Sequence, residues 1–407
     1  MIEKEGMPLR TERVRPLAAL LPIVAVSLLA ACSGEYPQTT FRPVTEFGAA
    51  INDLFTGVFR WTMLVLAVVW VVLLYVVLRF RRRPGQTPPP RTHGNAMAEI
   101  LWTLGPAVIV ALIAVPTIRT VFFTYREPSP DALVVEAIGH QWWWEFRYPD
   151  LGVVTANQFV LPVGREVHIR LSSADVLHNF WIPRIGGKRY NYPVQPQTEV
   201  PPSKVNSLTF TISEPGEYSG QCAEFCGIAH AIMRKRLLAV SPEEFDAWVE
   251  RMRGPAQEVA AAPAAEQVAG AGETGEAGGQ EEAAASQQAV ATSAPASAAE
   301  PAPGSLEAQG RDIFLRSTCV ACHAIAGTPA RGALGPNLTG FGSRWAVGAG
   351  ARPNTLENVI AWIKDPQAIK PGALMPGTQK AAPNGFPATG LSDEDVRAVA
   401  AYLLSLK

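Results

Sequence analysis

A group of soft metal-binding side chains lies between positions 178 and 233: His178, Cys222, Cys226, His230 and Met233. Thiolate, imidazole and thioether groups are ligands that suit copper. A mononuclear blue-copper site uses one thiolate, two imidazoles and a weak axial methionine. The second thiolate therefore indicates two copper ions that share both sulfurs, with one histidine terminal on each. A local disulfide and a zinc site are the alternatives, but a disulfide leaves the spacing of His230 and Met233 without a reason.

A second motif, Cys319-Val-Ala-Cys322-His323, has the spacing for covalent attachment of a c-type haem. In this reading, two thioethers hold the porphyrin and His323 is the proximal ligand. Met375, in a loop rich in Pro and Gly, is the predicted sixth ligand of the iron. Histidine and methionine together close the iron to substrate, so the motif predicts electron transfer. A thioredoxin-like pair or a zinc site is the alternative for the cysteines, and packing is the alternative for Met375.

The N-terminus reads as an export signal. Arg10, Arg13 and Arg15 precede an apolar run at 17–31 that ends in small residues before Cys32. This ending resembles a bacterial lipobox, which predicts cleavage after residue 31 and a lipid on Cys32. A plain signal peptide and an uncleaved helix are the alternatives.

Two later apolar stretches, at about 59–78 and 100–123, approach the length that a bilayer requires. The intervening residues are basic: Arg79, Arg81, Arg82, Arg83 and Arg91. Short basic loops stay in the cytoplasm, so both ends of the hairpin are expected outside it. This orientation agrees with the export signal, and residues 32–130 are therefore predicted to form a two-helix transmembrane hairpin.

The segment 131–253 has the residue pattern of an all-β domain. Stretches at 133–138, 166–171 and 207–212 alternate or are rich in β-branched residues, with Gly and Pro clusters between them. Strands at this spacing favour a β-sandwich or barrel. A short helix is expected after Ser241, where a cap, a proline and two acids follow in order.

The chain then changes character twice. Residues 254–303 carry seven acids, no Lys or Arg and almost no large apolar side chain, which predicts a disordered acidic linker. Residues 304–407 contain three helical patterns, at 305–316, 355–364 and 392–406, and Ser392 and Asp395 are placed like a capping box. The last segment is therefore expected to be a small all-α domain.

Residues 41–253 resemble cytochrome c oxidase subunit II, in which a helical hairpin precedes a cupredoxin domain, a Greek-key β-sandwich, that holds the dinuclear copper A centre. The aromatic run from Gly139 to Phe146, Gly-His-Gln-Trp-Trp-Trp-Glu-Phe, is similar to a segment of that family. The resemblance implies that the five soft ligands and the backbone carbonyl of Glu224 bind copper. It also implies a magnesium ion at the Glu224 carboxylate, where the catalytic subunit docks.

The last hundred residues resemble class I cytochromes c, including the stretch Gly335-Pro336-Asn337-Leu338. The whole multidomain order therefore resembles a caa-type oxidase subunit. One departure follows the first ligand histidine: the family usually has an acidic residue and then Pro-Gly, whereas no Pro-Gly occurs here before Pro215-Gly216.

Two residues outside the ligand sets also take roles from the resemblance. Glu99, at the start of the second span, corresponds to a position near a proton-uptake entrance, although an interfacial glutamate at a helix N-terminus is the alternative. Trp142 is a candidate for the electron route to copper, with ordinary packing as the alternative.

The resemblance implies electron entry at haem c, relay to copper A, and oxygen reduction with proton pumping in subunit I. Subunits I and III, a membrane and an external donor, either a cytochrome or a quinol–cytochrome c reductase complex, are the expected partners. With 35 basic and 36 acidic residues, the sequence has no excess of positive charge that would predict nucleic-acid binding. The expected location is a bacterial inner membrane, with both redox domains on the periplasmic side.

Two other functions stay open at this point. One is the copper A subunit of a nitric oxide reductase, and the other is a free-standing membrane electron-transfer lipoprotein. The linker raises a further choice between a haem domain that shuttles on its tether and one that is fixed against the copper domain.

Overall fold

The computed structural model describes residues 36–81, 85, 94–194, 205–253 and 301–407. The predicted signal peptide with Cys32, most of the basic loop and nearly all of the acidic linker lie outside these residues.

Two long apolar helices come first: α1 (Glu46–Arg79) and α2 (Ala96–Thr124). Thr45 and Asn95 cap them, each side chain accepting a hydrogen bond from a backbone N–H of the first turn. Both are long and apolar enough to cross a membrane. At 34 residues, α1 is about 50 Å long, more than a bilayer core requires. It begins 13 residues before the predicted span because its first turn belongs to the β domain, where Phe47 is buried.

Ten strands form the next domain. They are β1 (Leu133–His140), β2 (Trp143–Tyr148), β3 (Val153–Ala156), β4 (Gln158–Pro162), β5 (Glu166–Ser173), β6 (His178–Trp181), β7 (Arg189–Pro193), β8 (Asn206–Thr211), β9 (Gly216–Cys222) and β10 (Arg234–Val240). The pairing order is β3-β2-β1-β5-β7-β6-β9-β10-β4, and β8 pairs with β5. Because β3 and β4 end this order but are consecutive in the chain, the two layers close into a barrel-like sandwich. The predicted cupredoxin fold is confirmed, and the three predicted strands are present.

The interior of this domain is aromatic. Phe146 and Phe159 stack with ring centroids 4.0 Å apart, and Phe180 meets both edge-on. The predicted short helix, α3 (Pro242–Arg253), closes the domain. Its cap is reciprocal, because Ser241 Oγ accepts from Glu244 N while Glu244 Oε2 accepts from Ser241 N. These packed rings give the ligand strands a rigid base.

The C-terminal domain is small and mainly helical. Its elements are α4 (Leu306–Arg316), α5 (Cys319–Cys322), β11 (Ala346–Val347), β12 (Arg352–Pro353), α6 (Leu356–Lys364), α7 (Pro366–Ile369) and α8 (Asp393–Ser405). The three predicted helices are α4, α6 and α8, and the Ser392–Asp395 capping box is present. Helices α4 and α8 touch closely at Gly310, where an added Cβ would lie 1.9 Å from Ala398 O. That contact requires glycine and fixes how the helices cross.

Candidate copper and haem sites

The soft ligands converge from two strands and one loop. His178 begins β6, Cys222 ends β9, and Met233 directly precedes β10. Between them, Cys226 lies in the loop, and His230 begins a 3-10 turn. Because β9 pairs with both β6 and β10, the sheet brings all five side chains to one end of the domain.

The sulfur and nitrogen atoms of this group lie close together. Cys222 Sγ is 3.8 Å from Cys226 Sγ and 3.8 Å from His178 Nδ1, and Cys226 Sγ is 3.5 Å from His230 Nδ1. Met233 Sδ lies 3.8 Å from Cys226 Sγ. The two sulfurs are too far apart for a disulfide, whose bond is about 2.05 Å, so the disulfide alternative is wrong. Each histidine faces a different cysteine, which is the arrangement that two metal ions sharing both thiolates require.

Four of the five side chains are withdrawn from water: His178 and Met233 are 0% exposed and both cysteines are 4% exposed, whereas His230 is half-buried. A hydrogen bond from the Cys226 thiol lowers the pKa of Cys222 to about 3. The same neighbour, together with burial, raises the pKa of Cys226. The pair therefore loses its first proton readily and holds its second proton tightly. Binding of metal cations removes both protons, and the negative charge of the two thiolates favours that binding.

An acidic residue that the sequence interpretation did not assign supports His178. Asp175 Oδ1 lies 2.8 Å from His178 Nε2, and this leaves Nδ1 facing the cysteine sulfur. Burial alone lowers the pKa of His178, but Asp175 and Cys222 outweigh it and raise the pKa overall. The signal available in the sequence was an acid three positions before a ligand histidine. A carboxylate on the second ring nitrogen fixes the tautomer and orients the ligand.

Asp175→Asn is therefore expected to weaken copper binding by about 10- to 100-fold, the usual cost of losing such a supporting contact. Competition with a copper chelator measures this. Asp150→Asn is the matched control, because Asp150 is exposed on a turn away from the ligands. Equal copper affinity in both variants would show that Asp175 does not support the ligand.

A buried lysine, Lys235, lies next to the end of β9 that carries Cys222. Lys235 is 1% exposed; its Nζ lies 3.9 Å from the centroid of the Trp144 ring and donates to Gln221 O at 2.9 Å. Burial lowers its pKa well below the usual value, and the charge of Cys222 opposes that shift. Sequence reasoning missed it, although Lys235 shares the inward parity of Leu237 and Ala239 along β10.

Trp142 forms a hydrogen bond with the loop at 223–233 that joins β9 to β10, which we call the copper loop. Its Nε1 donates to Cys226 O at 2.9 Å, and Gln141 Nε2 donates to the same oxygen at 2.7 Å. An added Cβ at Gly227 would lie 2.9 Å from the indole, and one at Gly372 would lie 2.8 Å from it. The ring is therefore in close contact with both the copper loop and the loop that carries Met375.

Glu224 and Glu99, the two acidic residues with predicted magnesium and proton-entry roles, differ in their surroundings. The Glu224 carboxylate interacts with the Tyr190 phenol, and its charge raises the pKa of that phenol. The backbone oxygen of Glu224 lies 3.3 Å from Cys222 Sγ, beside the soft ligands. Glu99 is exposed in the first turn of α2.

The haem motif forms the single turn α5, directly followed by His323. His323 Nδ1 lies 2.8 Å from Pro336 O, so Nε2 stays free for an iron ion. An added Cβ at Gly335 would lie 2.6 Å from the imidazole ring, so glycine is needed beside it. Burial lowers the pKa of His323 and favours the neutral ring that binds metal.

Met375 lies in a loop held by Gln367, whose Nε2 donates to Met375 O at 2.6 Å. The methionine is half-buried against the apolar core of the domain. Among the described residues, several buried polar atoms here find no hydrogen-bond partner: Arg344 Nε, Asn354 Oδ1, Gln367 Oε1 and Thr389 Oγ1. Burial also lowers the pKa of Arg344 to about 10. A buried guanidinium N–H without a partner fits a neighbouring anionic group, such as the propionates of a haem.

Fold and sites together define a membrane-anchored electron-transfer protein with a cupredoxin copper domain and a c-type cytochrome domain. Three family models match in that order: the transmembrane domain of cytochrome c oxidase subunit II at 45–120, its periplasmic domain at 152–240 and cytochrome c at 307–407. The chain is 33% identical over 394 residues to cytochrome c oxidase subunit 2 of Alkalihalophilus pseudofirmus, covering 95% of this chain and 96% of the relative. The chain belongs to the cytochrome c oxidase subunit 2 family.

A second relative agrees with that assignment. Cytochrome c oxidase subunit 2 of Bacillus subtilis is 31% identical over 408 residues, with 96% of each chain covered. The solved periplasmic domain of subunit II of cytochrome oxidase of Bradyrhizobium japonicum is 28% identical, covering 31% of this chain and 97% of that chain, with a TM-score of 0.28.

These matches confirm a subunit of a haem–copper oxidase with a fused cytochrome c domain, in a membrane and with an extracytoplasmic domain. The families imply haem c and copper A. The nitric oxide reductase and the free-standing lipoprotein are not favoured.

Proposed function

We propose that electrons enter this subunit at the cytochrome domain, cross at Trp142 to the copper loop and leave for the catalytic subunit. The observation that carries this proposal is the position of Trp142, whose indole touches the Met375 loop and donates to Cys226 O. When bound, the haem and the copper ions supply reversible one-electron chemistry. The protein holds them, excludes water and sets their separation.

The distances between these side chains support the following ligand roles. When bound, two copper ions would be held by the thiolates of Cys222 and Cys226 and by the imidazoles of His178 and His230. Met233 and the carbonyl of Glu224 complete the set, which is supported by their places beside Cys226 and Cys222 respectively. Sharing an electron between two coppers lowers the reorganisation that each transfer requires. A buried pocket adds to this, because little water has to reorient around it.

The haem roles rest on the same kind of support. When haem is bound, Cys319 and Cys322 would hold it through two thioethers, and His323 and Met375 would hold its iron. The imidazole Nδ1–H donates a hydrogen bond to Pro336 O, which fixes the ring, and Gln367 Nε2 donates to Met375 O, which fixes the methionine loop. Histidine–methionine ligation raises the potential, as an electron donor to a further centre requires.

Several finer assignments belong to the same proposal. The Glu224 carboxylate takes part in a magnesium site against subunit I. Glu99 lies near the proton entrance, and proton pumping takes place in the assembled complex with subunits I and III. A cytochrome or a quinol–cytochrome c reductase complex is the external donor. The subunit is anchored in a bacterial inner membrane by its two helices and by lipid on Cys32, with both redox domains on the periplasmic side.

Purification of the assembled oxidase tests these assignments together. We expect two copper ions and one covalent haem on this chain, co-elution with a subunit that bears haem and copper, and oxygen consumption sustained by a reduced cytochrome. Mass spectrometry of the same preparation should show a chain that begins at lipid-bearing Cys32.

Different results would remove different parts of the proposal. A single copper ion would contradict the bridging thiolates. An intact Met1 or an unmodified Cys32 would contradict the lipid anchor. A preparation without a haem–copper partner subunit would contradict the electron route as a whole.

A further inference from the structure

One lysine of the cytochrome domain is buried where that domain meets the copper domain. Lys370 is 3% exposed. Its Nζ donates to Trp142 O at 2.6 Å, to Ile232 O at 2.8 Å and to Gly348 O at 2.9 Å. Two of these acceptors belong to the copper domain and one belongs to the cytochrome domain.

This arrangement matches the chemistry of an ammonium group, which has three N–H donors and no acceptor. Three neutral carbonyls satisfy all three donors in one geometry. Burial lowers the pKa of Lys370 to about 7, and the charge of Cys226 opposes that shift. Burying the ammonium is therefore costly, and the three carbonyl bonds offset part of that cost. The acceptors from the copper domain are available only when the two domains are docked.

The acceptors also lie on the proposed electron path. Trp142 contributes its own carbonyl to Lys370 while its indole bonds to Cys226 O. Ile232 lies between the ligands His230 and Met233. Lys370 itself lies two residues before Gly372, which touches the indole. A shift of the ammonium would therefore move the Met375 loop relative to Trp142.

Other contacts between the described parts of the two domains pair a backbone donor or a cation with a neutral partner. Arg234 N donates to Ala349 O at 3.0 Å, and Trp345 N donates to Gln158 Oε1 at 3.1 Å. The Arg236 guanidinium lies 4.7 Å from the centroid of the Trp345 ring. Contacts of this kind are directional and depend little on salt, unlike the long-range attraction of opposite charges.

We propose that Lys370 is a positioning residue that locks the cytochrome domain onto the copper domain in one orientation, from which electrons pass to the copper loop. This inference rests on the proposed electron route. It favours fixed docking over the tethered shuttle, because one buried cation with three oriented bonds defines a single docked arrangement.

The test uses the full chain in the assembled oxidase, with Lys370→Met as the variant and Lys380→Met, at an exposed lysine of the same domain, as the matched control. A nitroxide on Glu394→Cys, at an exposed position of α8, is paired with the oxidised copper centre in a pulsed dipolar EPR measurement. The parent and the control should give one narrow distance distribution, and Lys370→Met a broad one. Laser-flash reduction of the haem should then show haem-to-copper transfer slowed about tenfold or more, because bonds to a charged group are lost.

Spectra of haem c and copper A establish in each variant that both domains are folded. If methionine prevents assembly, Lys370→Gln keeps two N–H donors and should give an intermediate rate. Narrow distances and an unchanged rate in Lys370→Met would overturn the lock, and broad distances in the parent chain would favour the tethered shuttle. Absence of the copper or haem signal from the parent oxidase would instead contradict the proposed electron route.

Discussion

Replacing Cys222 with serine is expected to abolish the copper A centre while the haem c spectrum stays unchanged. Cys222 Sγ lies between His178 Nδ1 and Cys226 Sγ, so its loss removes the sulfur that links one histidine to the rest of the site. A serine hydroxyl is a hard, protonated group at neutral pH and a poor substitute for thiolate toward copper. The fall in copper affinity should exceed the roughly 10- to 100-fold cost of losing an outer-shell contact. Copper analysis and the EPR spectrum of the oxidised complex measure the effect.

The haem c spectrum should not respond to this change, because the haem motif lies in a domain with its own apolar core. Ala223→Ser is the matched control, since it adds the same hydroxyl at the neighbouring position and leaves both thiols in place. Full copper content and an unchanged copper spectrum in Cys222→Ser would refute the ligand assignment. A loss of copper in Ala223→Ser as well would point to a general disturbance of the loop.

Replacing Met375 with alanine should open the sixth coordination position of the haem and lower its potential. The haem should remain attached, because the proposed thioether bonds to Cys319 and Cys322 do not involve this residue. Loss of the thioether ligand removes the axial contact that raises the potential in histidine–methionine haems. The absorption band of methionine–iron bonding should therefore disappear, and redox titration should show the lower potential.

Leu374→Ala is the control for this change. Leu374 is the neighbouring residue of the same loop, is 47% exposed and loses an apolar side chain of similar size. It should keep both the band and the potential. Persistence of the band in Met375→Ala would show that another residue is the sixth ligand.

Local patterns in the sequence predicted much of the fold. The caps at Ser241 and Ser392 and the alternation in β1 depend on residues only two to four positions apart, so they can be read along the chain. The cysteines, the histidine and the methionine between positions 222 and 233 likewise lie in one short segment of the chain. These features need little knowledge of how distant segments meet.

Several supporting residues were harder to predict because their partners are distant in the chain. Lys370 and Trp142 are 228 positions apart, and no periodic pattern connects them. Lys235 looks like one more basic residue between Arg234 and Arg236 until the strand pairing shows which of the three faces inward. The predicted span at about 59–78 took in only the apolar stretch for the membrane. It therefore did not reveal that α1 begins at Glu46, with Phe47 of its first turn buried against the β domain.

The central claim is that electrons reach the copper loop from the haem of the same chain. Time-resolved absorption after laser-flash reduction of haem c in the assembled oxidase tests it most directly. The account predicts that haem c is reoxidised in step with reduction of copper A, before the haems of the catalytic subunit are reduced, and that haem c stays reduced in Cys222→Ser. Reoxidation of haem c at the parent rate in Cys222→Ser would contradict the account, because the electron would then have left without the copper centre.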